Sequence, residues 1–172
     1  MTKKKQILTI LAAVCAVYGP TLAVAAGPNE GGWAVMTFSG VAKHKPHGVH
    51  NEIVYGIRAA YGLTSRWLVA TSLGHSDLGP GDQTLIEANV GYAFRRDKRI
   101  SMILTGGMGH AFVNDIGESD SFTMNIGMGP AIRLNERLMI RILNRFRYFE
   151  NRDEDNTDQE ITVGLVVKLG QQ

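Results

Sequence analysis

The stretch Glu160-Ile161-Thr162-Val163-Gly164-Leu165-Val166-Val167-Lys168-Leu169 alternates with period two. Ile161, Val163, Leu165, Val167 and Leu169 fall on one side, and Glu160, Thr162, Gly164, Val166 and Lys168 on the other. Side chains of an extended strand point alternately to opposite faces, so this pattern reads as a β-strand with one apolar face. Working back along the chain, the pattern recurs. Phe122, Met124, Ile126, Met128, Pro130, Ile132 and Leu134 oppose Thr123, Asn125, Gly127, Gly129, Ala131 and Arg133. Leu138, Ile140, Ile142, Phe146 and Tyr148 oppose Arg141, Arg145 and Arg147; Ile86, Ala88, Val90, Tyr92 and Phe94 oppose Glu87, Asn89 and Gly91. Similar runs cover Glu52 to Leu63, Trp67 to Leu73 and Ile100 to Phe112. The run Trp33 to Ala42 is also strand-like, but both of its faces carry apolar residues and its register stays open. Eight strands result, and no stretch after Gly31 keeps a helical period.

The connections alternate in length. Ser65-Arg66, Arg96-Asp97-Lys98 and Asn135-Glu136 are tight turns, whereas Lys43 to Asn51, His75 to Gln83, Asn114 to Ser121 and Asn151 to Gln159 read as longer polar loops. An all-β, eight-stranded antiparallel up-and-down barrel with one short-turn end and one long-loop end accounts for this rhythm.

Ahead of the strands, Lys3-Lys4-Lys5 precede an apolar run from Ile7 to Val17, a Gly19-Pro20 break and the small residues Ala23-Val24-Ala25-Ala26. This three-part order is that of a secretory signal peptide over residues 1–25, cleaved after 25 or 26, with the barrel over 26–172. The apolar run falls short of the ~20 residues a membrane-spanning helix needs. Val14 before the lone Cys15 does not suit a lipoprotein site. The formal charge of the 172-residue chain is +2, and removing those three lysines leaves about −1, so charge gives no case for nucleic acid. With Cys15 in the leader, the remainder has no disulfide, CxxC pair or thiolate zinc site.

Period two alone does not say which face looks outward. A soluble periplasmic ligand-binding barrel keeps its apolar face inside, whereas a membrane barrel turns it to hydrocarbon and keeps polar groups in the lumen. The aromatic residues decide. Trp33, Tyr61, Trp67, Tyr92 and Phe94 gather by the short turns, and Phe38, Tyr55, Phe112, Phe122, Phe146, Tyr148 and Phe149 gather towards the long loops. Between them the strands are aliphatic. Two aromatic girdles around an aliphatic belt match two membrane interfaces, so the expectation is a transmembrane barrel.

In the strand Asn125-Ile126-Gly127-Met128-Gly129-Pro130-Ala131-Ile132-Arg133-Leu134 and its following turn, in the Arg-rich strand ending Arg147-Tyr148-Phe149, and in the closing Val163 to Leu169, the chain resembles the small Gram-negative outer-membrane β-barrels. These are the OmpA-type transmembrane domain and its OmpX-like relatives. The resemblance implies residence in the outer membrane, contact with its lipid and lipopolysaccharide, and folding by the barrel-assembly machinery. It does not bring cell-wall anchoring, because the pattern covers the barrel alone. Family members usually finish on an aromatic read by that machinery, where this sequence has Leu169-Gly170-Gln171-Gln172.

On this reading the lumen receives Arg58, Glu87, Asn89, Arg95, Arg133, Arg141, Arg145, Arg147, Glu160 and Lys168. Charges there must pair or stay hydrated. Arg141, Arg145 or Arg147 should meet Glu160 on the neighbouring strand, and Glu87 should offset another arginine across the lumen. The expected result is a charged network that plugs the barrel. A narrow small-solute or ion channel favouring anions is the alternative; an eight-stranded barrel is too narrow for a general porin. The five histidines fall at the long-loop end, and His44, His47 and His50 are the low-ranking candidates for zinc, copper or nickel. Pro46 and Gly48 between them argue for an irregular loop that fixes no ligand geometry, so no metal or other cofactor is expected.

Nor is catalysis expected. Lipid A deacylases of this size use a serine and a histidine on a late strand, and Asn144-Arg145-Phe146-Arg147-Tyr148 has neither. The trio His75-Ser76-Asp77 places neighbours on opposite faces, so Ser76 would not meet both. The function expected is structural, for envelope integrity, or adhesive, through the outward loops.

Overall fold

The computed structural model describes residues 30–44, 50–77, 82–94, 99–113, 120–150 and 157–169. It contains eight strands: β1 (Trp33–His44), β2 (His50–Gly62), β3 (Trp67–Asp77), β4 (Asp82–Phe94), β5 (Ile100–Val113), β6 (Ser121–Arg133), β7 (Leu138–Phe149) and β8 (Thr157–Leu169). Each pairs antiparallel with the next, and β1 pairs with β8, closing the barrel. Closure leaves no open edge, which is what lets strands stand in hydrocarbon without unsatisfied backbone groups. The leader, Arg95, His47 and the connections 45–49, 78–81, 114–119 and 151–156 lie outside the described residues.

The barrel is inside out relative to a soluble protein. Ile57, Ile86, Val90, Met108, Ile126, Met128, Ile161 and Val163 are exposed on the outer face, while Arg58, Glu87, Asn89, Arg141, Arg145, Arg147 and Glu160 are buried inside. Apolar outside and ionic inside is the transmembrane arrangement, and it rules against the soluble ligand-binding barrel. In β1 the register left open resolves to even positions inward: Ala34, Met36, Phe38 and Ala42 are buried, and Val41 is exposed.

Two aromatics correct the girdle reading. Phe38 and Phe149 point into the lumen, with exposures of 5% and 0%. Proximity to a strand end placed both with the girdle, but parity along the strand decides the face. The remaining aromatics do form two outer bands. At the turn end Trp33 packs on Tyr61 with centroids 5.0 Å apart, and Trp67, Tyr92 and Phe94 form a chain at 4.9 and 4.8 Å. Towards the other end, Tyr55 meets His75 at 5.3 Å and His110 meets Phe112 at 4.7 Å.

The strands also run further at the loop end than their apolar pattern suggests. His75 lies in β3, paired with Thr84, and Asp77 pairs with Asp82. Both faces turn polar there, so alternation fades although the backbone ladder continues. The β1–β2 and β3–β4 connections therefore shrink to 45–49 and 78–81, as short as the turns, and only 114–120 and 150–156 remain longer.

Side-chain acceptors shape two of the turns. Thr64 Oγ1 accepts from the backbone N–H groups of Arg66 (3.2 Å) and Trp67 (3.0 Å). Asn135 Oδ1 accepts from those of Arg137 (2.9 Å) and Leu138 (2.8 Å). These bonds bind donors that a four-residue connection leaves unpaired. Ahead of β1, Gly31 adopts φ of 75°, the left-handed region, and donates to Gly62 O at 2.9 Å, seating the incoming chain against the end of β2.

Candidate functional site

Four ionised side chains meet across the lumen. Arg145 and Arg147 stand two residues apart on β7, so both point inward. Glu160 is the direct ladder partner of Arg145 on β8, and Glu87 comes from β4 on the far wall. Arg145 donates through Nη1 to Glu87 Oε2 and through Nη2 to Glu160 Oε1, the latter at 2.6 Å. Arg147 donates from Nε to Glu87 Oε1 (3.0 Å) and from Nη2 to Glu160 Oε2 (2.9 Å). Each arginine binds both glutamates and each glutamate both arginines, giving a closed ring of alternating sign. The Ser72 hydroxyl and the Asn125 amide also donate to Glu87, each at 3.1 Å.

Glycines make room for the ring. A Cβ at Gly109 would lie 2.8 Å from Glu87 Cγ, and one at Gly127 3.1 Å from Arg145 Cβ. The first approach is closer than a real Cβ makes and the second would require its neighbour to shift; both glycines sit on the inward parity of their strands. Relative exposure is 1% for Arg145 and 0% for Glu160, so these groups are almost entirely shut off from solvent. Above the ring, towards the loops, Phe149 packs with Leu85 and Ala111, and its ring lies 6.0 Å from the Arg147 guanidinium.

The other lumen candidates separate into two groups. Arg58 and Arg141 are buried at 4% and 5% but stand apart from the ring, among Ala34, Met36, Leu68, Ile103 and Met139 on the turn side. Arg141 thus does not join Glu160, unlike its two neighbours on β7. Arg133 and Lys168 also face inward at that end and make contacts of their own. Asn89 is buried on the lumen face of β4. Two carboxylates not placed in the lumen from sequence, Glu52 and Asp158, are buried towards the loop end. Their inward parity was available, but they fell in or beside segments read as loops.

The histidines are not brought together. His44 and His50 are ladder partners in β1 and β2, and their side chains, like His47, are outside the described residues. His75 faces outward, with Nδ1 3.4 Å from Thr84 Oγ1 and Nε2 3.9 Å from Asp82 Oδ1. His110 Nε2 lies 3.9 Å from Asp120 Oδ2. Among the described residues no three His, Cys, Asp or Glu side chains converge as a metal cluster. Ser76 is buried on the lumen face while the His75 ring is on the outer face, so that pair cannot act as nucleophile and base.

No family model matches the sequence, and no curated protein matches it. Solved structures do match in fold. The N-terminal β-barrel domain of Pseudomonas aeruginosa OprF superposes with a TM-score of 0.68 at 15% identity, covering 83% of this chain and 100% of that one. Neisserial surface protein A gives 0.67 at 18%, covering 80% and 97%. The outer membrane enzyme PagL gives 0.52 at 13%, covering 78% and 98%. At such identities the likeness concerns architecture, which hosts more than one activity. With its apolar exterior, girdled ends and ionic interior, this chain has the fold of the small eight-stranded outer-membrane β-barrels.

Proposed function

We propose that the chain is an integral outer-membrane protein, exported by the leader over residues 1–25, that works as a closed barrel with a structural or surface-contact role. The carrying observation is the ring Glu87–Arg145–Glu160–Arg147, four charged side chains at most 3% exposed that pair with one another across the lumen. A lumen closed in this way offers no continuous aqueous path, which moves activity to the surfaces. The belt meets outer-membrane lipid, the strand ends meet lipopolysaccharide, and assembly runs through the barrel-assembly machinery. The two longer connections, 114–120 and 150–156, carry Asp115, Glu118, Asp120, Asp153, Glu154 and Asp155 and are the segments proposed to contact a partner. The surface role is in keeping with the name of Neisserial surface protein A, whose fold it shares. Catalysis is not part of this reading, because the local serine and histidine lie on opposite faces.

A narrow anion path is the second reading, favoured by the cationic Arg58 and Arg141 on the turn side. Planar-bilayer recording separates the two. The purified, refolded protein should show no steady conductance in molar potassium chloride. Steady, salt-dependent steps that vanish on replacing Arg145 would establish the channel and end the closed-barrel reading.

A further inference from the structure

We propose that the turn-side lumen holds one small monovalent anion, of halide size, between the guanidinium groups of Arg58 and Arg141. The two arginines line one cavity whose other walls are mainly apolar, including Met36, Leu68, Ile103 and Met139. Both are more than nine-tenths buried. Arg58 Nε and Arg141 Nε and Nη2 have no hydrogen-bond partner among the described residues, and neither arginine forms an ion pair there. Phe38 covers one face of Arg58, its ring centroid 5.4 Å from the guanidinium carbon. That contact leaves the N–H edge for the cavity.

The ring supplies only part of the missing charge: Glu87 and Glu160 act on Arg58 through space, but no carboxylate among the described residues acts on Arg141. Glu87 and Glu160 are each held by Arg145 and Arg147, and Glu52 and Asp158 stand beyond the ring towards the loops. Among the described residues, the remaining inward ions on the turn side, Arg133 and Lys168, are also cations. Two like charges facing one apolar space repel, and their burial without counter-charge is strongly unfavourable. Water satisfies N–H groups but not charge; an anion does both.

Size sets the ligand class. The cavity, about 20 Å³, has room for about one water-sized particle. A chloride or bromide ion fits, and a sulfate or phosphate does not. Ala34, Leu68 and Met139 lie one position from the turn ends of their strands, so the ion enters from that side and meets the ring beyond. The site is therefore a dead end rather than a conduction path. It goes beyond the proposed function and rests only on the inside-out barrel, so it can fail while the lumen stays closed, and the reverse.

The test uses full barrel refolded in detergent. Thermal unfolding is followed by tryptophan fluorescence at constant ionic strength while sodium gluconate is replaced by sodium bromide. The wild type should show a saturable rise in midpoint of several degrees, which sodium sulfate does not reproduce and which Arg141→Met loses. A midpoint indifferent to bromide, or an equal rise in Arg141→Met, overturns the site. Bromide anomalous scattering from wild-type crystals decides independently of whether the variant folds. A peak against Arg141 Nε and Nη2 supports the site, and its absence beside ordered guanidinium groups overturns it.

Discussion

Replacing Glu160 by Met should destabilise the barrel severely, and replacing Arg145 by Met as well should restore most of the loss. Glu160 accepts from Arg145 at 2.6 Å and from Arg147 at 2.9 Å, and all three side chains are at most 3% exposed. Without it, Glu87 alone faces two buried guanidinium groups, leaving one charge uncompensated. Removing one partner of a buried pair costs about 3–5 kcal/mol, roughly 10²–10⁴ in the folding equilibrium. Arg145→Met alone leaves the opposite excess and a similar loss. The double variant keeps the neutral pair of Glu87 with Arg147, at 3.0 Å, and sets two methionines against each other as ladder partners. Exchange of a buried ion pair for apolar groups of similar volume is often neutral. The assay is urea unfolding of detergent-refolded protein, read by tryptophan fluorescence and by the mobility difference between unheated and heated samples. With a slope of about 1–3 kcal/mol per molar, each single variant should lower the midpoint by about 1 M or more. The coupling energy from the double-mutant cycle should exceed about 2 kcal/mol. Single losses below about 1 kcal/mol, or a double variant that loses the sum of both, would show that the ring is not held by mutual charge compensation.

Three other comparisons probe the same architecture. Ile126→Arg, on the outer face in the middle of β6, should cost about 2–4 kcal/mol in bilayer-refolded protein, and Ile100→Arg, at the turn end of β5, about 0–1; equal costs would mean the belt is misplaced. Phe149→Ala empties the fully buried site above the ring and should cost about 3–5 kcal/mol in the same urea assay, whereas a girdle aromatic facing lipid would lose far less. Asn135→Ala removes the acceptor of the Arg137 and Leu138 N–H groups and should cost about 1 kcal/mol, measured as a midpoint shift against Thr64→Ala in the equivalent turn.

The strands and their outward face were legible because a membrane barrel writes both on the same alternation. Ile161, Val163 and Leu165 against Glu160, Thr162 and Gly164 gave β8 directly. Parity also placed Arg145, Arg147, Glu87 and Glu160 on one side of the wall. Their closing into one ring was not legible, because a linear pattern does not say which residues of β4 and β7 face each other across a lumen. Shear between strands sets that: Glu87 pairs laterally with Gly109, not with the level of Arg145, and reaches the arginines only through the interior. Asn125 was missed as a donor to Glu87 for the same reason, whereas Ser72 is its lateral ladder partner on β3 and was missed because the register between those strands was not read. Phe38 and Phe149 were misplaced because closeness to a strand end was given more weight than parity. The strand extensions were missed where polar residues occupy both faces, as at His75-Ser76-Asp77 against Asp82-Gln83-Thr84.

The same ring bears on how the barrel avoids being threaded one residue out of step. A one-residue slip moves every side chain of a strand to the opposite face. In β7, Leu138, Ile140, Ile142, Phe146 and Tyr148 face outward while Met139, Leu143 and Phe149 face the lumen, so apolar content alone gives only a partial preference between the two threadings. Arg141, Arg145 and Arg147 make it decisive. A slip would carry all three towards lipid, at about 2–4 kcal/mol for Arg145 near mid-strand and less for Arg141 and Arg147 nearer the strand ends, and would strip Glu87 and Glu160 of their partners. Strand β1 is the contrasting case. Its inward Ala34, Met36, Phe38 and Ala42 and outward Val35 and Val41 include no ion, and its register could not be read from its own residues. It is fixed instead by the strands on either side, β2 with Glu52 and Arg58 inward and β8 with Glu160 and Lys168 inward. The charges that close the lumen therefore also choose the face of each strand that carries them, and through the ladder the faces of β1, β3 and β5, which carry none inward among the described side chains.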